Sequence, residues 1–147
     1  MIPSLDPITG NLPAGIHHAT WQELIRAFGG TAHRRRLLGG LRQAARSLRS
    51  AGCQTLYLDG SFVASKEVPS DYDGCWDAVG VNVTLLDGVL LDFTNGRLRQ
   101  KAKYGGELFV AGWIESGSGR TFLEFFQTDK STGAPKGIVA LDLGSVK

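Results

Sequence analysis

The sequence predicts an α+β domain: a mixed, mainly antiparallel sheet with helices packed on one face, preceded by an extended N-terminal arm. Two observations carry this reading. Apolar residues recur at helical spacing as far as Gly52 and alternate at period two beyond it. A strand–turn–strand pattern then brackets Gly60, with residues 55–59 before the turn and 71–76 after it. At 147 residues the chain suits one domain with a sizeable core, so residues 1–19 read as the arm and 20–147 as the domain.

Each element has its own local signal. Residues 1–19 hold three of the five prolines and little periodicity, hence the arm. Thr20-Trp21-Gln22-Glu23 has the form of a capping box, opening a short helix that stops at Gly29-Gly30. Thr31 can cap a longer helix to about Ala51, with Gly52 as its left-handed terminator. Leu37, Leu41, Ala44 and Leu48 form its apolar stripe, and the internal Gly39-Gly40 pair predicts a kink or a close packing contact. Thr55–Asp59 and Asp71–Trp76 read as strands. Residues 82–92 carry Val83, Leu86 and Leu90 at helical spacing. The segment 97–106 fits a strand or a helix equally. Strands are expected at 107–114, 121–127 and 137–143, the first two joined by the Gly/Ser-rich turn at 116–119.

Composition excludes several classes. Hydrophobic residues at 42% and charged residues at 20% rule out wholesale disorder, and no apolar run is long enough for a membrane span. The opening Met1-Ile2-Pro3-Ser4-Leu5-Asp6 resembles no signal peptide, and Cys53 and Cys75 sit in apolar contexts as buried free thiols would. A cytoplasmic protein is the expectation. His17, His18 and His33 lack the clustered partners of a zinc site. The net charge of +2 hides an asymmetry: seven arginines and no acid lie between Leu24 and Leu58. Arg34, Arg35 and Arg36 stand at a helix start, against the positive end of its dipole, which predicts an anionic or acidic partner for them. Arg42, Arg46 and Arg49 read as a solvated face.

The stretch with chemical content is Asp59-Gly60-Ser61, nine residues, then Asp71-Tyr72-Asp73. Residues two apart in a strand face the same side, so Asp71 and Asp73 project together. Such a pair repels unless a divalent cation with oxygen ligands joins it, and Mg²⁺ commonly takes one or two carboxylates plus substrate phosphates. The Gly-Ser turn lets backbone approach a phosphate, to which the Ser61 hydroxyl can donate.

In these residues the chain resembles the DNA polymerase beta-like nucleotidyltransferase superfamily, whose signature is Gly-Ser, a gap, carboxylate-x-carboxylate and a third acid on a later strand. Phrases such as His33-Arg34-Arg35-Arg36 and Asp59-Gly60-Ser61-Phe62-Val63 make it similar to a small bacterial family within that superfamily. The resemblance implies a nucleotidyltransferase-like fold and transfer of an NMP group from an NTP to a protein, RNA or small-molecule hydroxyl. It assigns Gly60 and Ser61 to the phosphates and Asp71 and Asp73 to Mg²⁺, or Mn²⁺ in its place. Glu124, in Leu123-Glu124-Phe125, is the expected third acid and Asp92 the runner-up. Lys66, Lys101 and Lys103 are expected to neutralise the phosphates. The alternative is an inactive nucleotide- or partner-binding module, with a small partner protein or a second copy of the chain, as in toxin–antitoxin-like pairs. The chain departs from the pattern in having Phe62-Val63-Ala64-Ser65 where an Arg-rich segment is common, and Gly74 after the second Asp.

Overall fold

The computed structural model describes residues 1–147. Strand β1 (Gly15–Ala19) leads into helices α1 (Trp21–Phe28) and α2 (Ala32–Ser50), followed by strands β2 (Thr55–Asp59) and β3 (Tyr72–Trp76). Helix α3 (Thr94–Tyr104), strand β4 (Gly106–Val110), helix α4 (Phe122–Phe126) and strand β5 (Gly137–Asp142) complete the chain. The fold is α+β, with one five-stranded mixed sheet in the order β1-β5-β2-β3-β4.

Antiparallel pairing is confined to the centre of the sheet. β2 runs antiparallel to β5 and to β3, whereas β1 is parallel to β5 and β4 is parallel to β3. The expectation of a mainly antiparallel sheet is therefore corrected to an even mixture. The cause is the long connection 77–105, which carries α3 back over the sheet as a parallel neighbour requires. The arm is corrected too: its residues 15–19 are an edge strand. Gly-Ile-His-His-Ala has no alternation to reveal it, and its pairing with β5 lies far away in sequence.

Strand alternation builds two layers. Leu56 and Leu58, Tyr72 and Trp76, Leu108 and Val110, and Val139 and Leu141 share one core with Leu24 and Phe28 of α1 and Leu41, Ala44 and Leu48 of α2. The opposite face holds a smaller cluster around Cys75, Phe126 and Ile138. Helix α4 supplies that cluster, so the helices are not all on one face.

Where the sequence reading of 121–127 as a strand fails, the reason is local. Thr121 and Glu124 form a capping box, each bonding the other's backbone N–H, and this starts a helix. The same grammar correctly opens α1 at Thr20 and Glu23. Residues 82–92 form two 3₁₀ turns instead of a helix, because the Asn82 and Asp87 side chains each accept from the backbone two residues on and restart the chain. The ambiguous segment 97–106 resolves as α3, ended by left-handed Gly105. Buried Gln100 ties α3 down: its Oε1 accepts from Leu108 N–H at 2.8 Å and its Nε2 donates to Leu90 O at 3.4 Å. Both cysteines are free and buried.

The Gly39-Gly40 pair marks close packing, since α2 runs unbroken through it. A Cβ on Gly40 would collide with the Tyr104 carbonyl at the end of α3, whereas one on Gly39 would meet open space. Gly39→Ala is expected to stabilise the protein by about 0.5–1 kcal/mol through helix propensity. Gly40→Ala is expected to destabilise it by roughly 1–3 kcal/mol through overpacking. Urea unfolding of the two variants reads the opposite signs.

Candidate functional site

The second face of the sheet carries the chemistry. In β2, β3 and β4 the residues facing away from the large core are Tyr57 and Asp59, Asp73 and Cys75, and Glu107 and Phe109. Register sets Asp59 opposite Asp73 and Asp73 opposite Glu107, so three carboxylates stand side by side across three strands. Asp71, just before β3, joins them. Carboxylate oxygens of Asp71, Asp73 and Glu107 lie within 4.8 Å of one another, an all-oxygen donor set that can hold a divalent cation.

Crowding shapes the ionisation of each acid. Burial, then the Asp71 and Glu107 charges, push Asp73 up to about 7. Asp71 is raised by burial and by Glu107. Burial also works against Glu107, yet hydrogen bonds from Lys101 and Arg97 hold it below the usual carboxylate range. Both cations lie 3.0 Å from Glu107 Oε1. Asp59 is raised by burial against the pull of Lys136, whose Nζ is 3.1 Å from its Oδ1. Neither Asp71 nor Asp73 has such an ion pair, and the raised Asp73 carboxyl answers the crowding with a proton instead.

The Gly60-Ser61 turn borders this cluster. Gly60 has φ +80°, and a Cβ there would stand 2.6 Å from Asp73 Oδ2, so both backbone and space demand glycine. Ser61–Val63 then forms a 3₁₀ turn. Its position is held by Arg34, the most buried arginine of α2 at 7% exposed. The Arg34 guanidinium donates to the carbonyls of Phe62 at 2.6 Å, Ala64 at 3.0 Å and Lys66 at 2.6 Å, with longer bonds to Ser61 and Phe28. It also lies against the Phe28 and Phe62 rings. The partner expected for the Arg34–Arg36 run is thus, for Arg34, this loop of the same chain. Arg35 donates to Gly29 O at 3.2 Å. Arg42 and Arg49 are not merely solvated, since they donate to the Lys147 and Val146 carbonyls.

Other expected site residues lie elsewhere. Glu124 belongs to the α4 capping box and is exposed, on no strand and outside the acidic cluster. Asp92 is likewise outside it, accepting from Thr94 and pairing with Arg99 at 3.2 Å. Lys103 pairs with Asp87 at 2.5 Å, away from the acids. In a helix, residues two apart point to different faces, so α3 sends Lys101 to Glu107 and Lys103 to Asp87. Lys66 offers its backbone carbonyl to Arg34 and its charge to Asp71. Tyr104 is buried with its hydroxyl on Asp87. Glu107, Asp59 and Lys136 were missed. The signal for Glu107 was the alternation Glu107/Phe109 against Leu108/Val110 within an expected strand; Lys136 had none, because only the β2–β5 pairing brings it to Asp59.

Two outcomes test this geometry. In the metal-free protein Asp73 holds a proton that the unfolded chain releases above pH 3.8. Its stabilising contribution is therefore present below about pH 4 and lost as pH rises through 7, with a slope of at most roughly 1.4 kcal/mol per pH unit. Asp73→Asn removes that slope in denaturation curves taken between pH 4.5 and 8. Arg34→Lys, which cannot reproduce the planar fork, is expected to cost about 2–4 kcal/mol and to speed amide exchange at residues 61–66.

Comparison with known proteins gives one positive result. No curated protein and no solved structure matches the chain. A family model described as "Family of unknown function (DUF6932)" matches residues 3–142, a span that includes Asp59, Gly60, Ser61, Asp71, Asp73, Glu107 and Lys136, and the chain belongs to that family.

Proposed function

We propose that this protein is a metal-dependent nucleotidyltransferase that moves an NMP group from an NTP to a hydroxyl of a protein, an RNA or a small molecule. One observation carries the reading: the carboxylates of Asp71, Asp73 and Glu107 meet beside the Gly60-Ser61 turn. The resemblance of Gly-Ser, Asp-x-Asp and a later strand acid to the nucleotidyltransferase superfamily supports it, with Glu107 on β4 taking the part expected of Glu124.

The donor set fits Mg²⁺ or Mn²⁺. All three groups are hard oxygen ligands, and two of them have no protein cation in contact. A bound divalent cation would neutralise phosphate charge and lower the pKa of an attacking hydroxyl. The remaining work falls to the chain itself. Ser61 Oγ and the backbone N–H groups of its turn can donate to phosphate oxygens. Lys136 and Lys101, each already beside a carboxylate, add positive charge where the triphosphate would lie. In the transfer, the acceptor oxygen bonds to the α-phosphorus as the bond to pyrophosphate breaks. The hydroxyl proton passes to a carboxylate oxygen of the cluster that the cation leaves free.

A second reading is a non-catalytic nucleotide- or partner-binding module, as in a toxin–antitoxin-like pair. It is favoured by Arg97 and Lys101, which already neutralise Glu107 without a metal. Labelled NTPs with Mg²⁺ and cell extract separate the two. Label transferred to a macromolecule by the wild type, and reduced to background by Asp73→Asn or Glu107→Gln, is the expected outcome. Calorimetric binding of Mg²⁺ and nucleotide without transfer would favour the module, and binding unchanged in Asp73→Asn would remove the acids as ligands.

A further inference from the structure

Asp59, Asp73 and Glu107 line one end of a cavity of about 600 Å³, a size common for small-molecule sites. Its other end is aromatic. Phe109 of β4 and Phe122 of α4 lie face to face, with ring centroids 4.4 Å apart and planes 11° apart. Phe93 stacks on Phe109 with centroids 5.8 Å apart. Phe126 is buried and anchors the group, its centroid 5.7 Å from Phe125. Phe109, Phe122 and Phe125 are only half-buried and line the cavity. Lys130 Nζ lies 5.9 Å from the Phe125 ring centroid, and Lys136 lines the same space.

A core would cover these rings. Here they are fixed and left partly open. The capping box of Thr121 and Glu124 sets the start of α4, and α4 presents Phe122 and Phe125 on the cavity wall. Glu124 thus acts on the site by orienting aromatic rings and not by ligating a metal. A ligand complementary to both ends has a flat ring at one and several negative charges at the other. Stacking on an aromatic face tolerates any base but gains with ring area.

We propose that the wall formed by Phe122 and Phe125 is a base subsite, and that it makes the protein prefer purine over pyrimidine nucleotides. This inference rests on the reading of the acidic end as a metal–polyphosphate site, and adds the ring that the site selects.

Calorimetry on the full chain in Mg²⁺, with ATP, UTP and inorganic tripolyphosphate as probes, tests it. ATP is expected to bind about 5- to 150-fold more tightly than tripolyphosphate, with UTP between them. Phe125→Leu keeps the apolar volume and should bring ATP towards the tripolyphosphate value. Phe125→Trp should restore or exceed the wild-type preference, which a merely structural role would not produce. Should wild type bind ATP no more tightly than tripolyphosphate, or Phe125→Leu keep the full ATP preference, the base subsite is overturned while the polyphosphate site stands. Binding of none of the three probes by the wild type would overturn the site reading itself.

Discussion

Four carboxylates crowd onto one patch of the sheet, and their mutual repulsion is the constraint to which the neighbouring structure is fitted. Two negative charges about 4 Å apart repel by roughly 4 kcal/mol at an effective dielectric near 20. Such a patch persists only with countercharge or bound protons. Lys136 answers Asp59, and Arg97 with Lys101 answers Glu107. Asp73 is answered by a proton, its carboxyl pushed up to about 7. The protein thus holds three cations against two acids and leaves the Asp71–Asp73 pair as the group that a divalent ion would relieve most.

Holding this patch in shape falls to elements with no acid of their own. Arg34 spans from α2 into the loop after β2 and donates to four carbonyl oxygens there and to Phe28 O at the end of α1, so the Gly60-Ser61 turn is tied to the large core beneath the sheet. Arg97 arrives through backbone in an unfavourable state. Asn95, Gly96 and Arg97 all have left-handed dihedrals, and two of them carry side chains. A left-handed non-glycine residue costs about 1–2 kcal/mol. The turn places the Arg97 guanidinium at once on Glu107 and 5.4 Å from the Phe109 ring centroid, where acidic and aromatic ends of the cavity meet.

Legibility followed the range of the interaction. Capping boxes are four residues long, and Thr20–Glu23 was read correctly from sequence. The identical grammar at Thr121–Glu124 was overridden by the phenylalanines around it, which look like a strand when counted by composition. Leu37, Leu41, Ala44 and Leu48 announced the buried face of α2, and all four are buried in the large core. Asp71 and Asp73 could be placed together because the period of a strand is a local property. Lys101 and Lys103 could not be assigned until α3 was known to be a helix, since one period sends them to the same side and the other apart.

By itself, then, the sequence determined the helices α1 and α2, the central strands β2, β3 and β5, the tight turn at Gly60-Ser61 and the projecting Asp71–Asp73 pair. Each of these depends on residues within one or two turns of one another. Only the tertiary structure decided that Glu107 and not Glu124 completes the acids, that Lys136 meets Asp59, and that Arg34 serves the loop and not an outside anion. Those choices rest on strand order and register across β5-β2-β3-β4 and on contacts between residues 28 to 77 positions apart. Pairing at that range is selected by the burial of whole faces, and no local pattern encodes it.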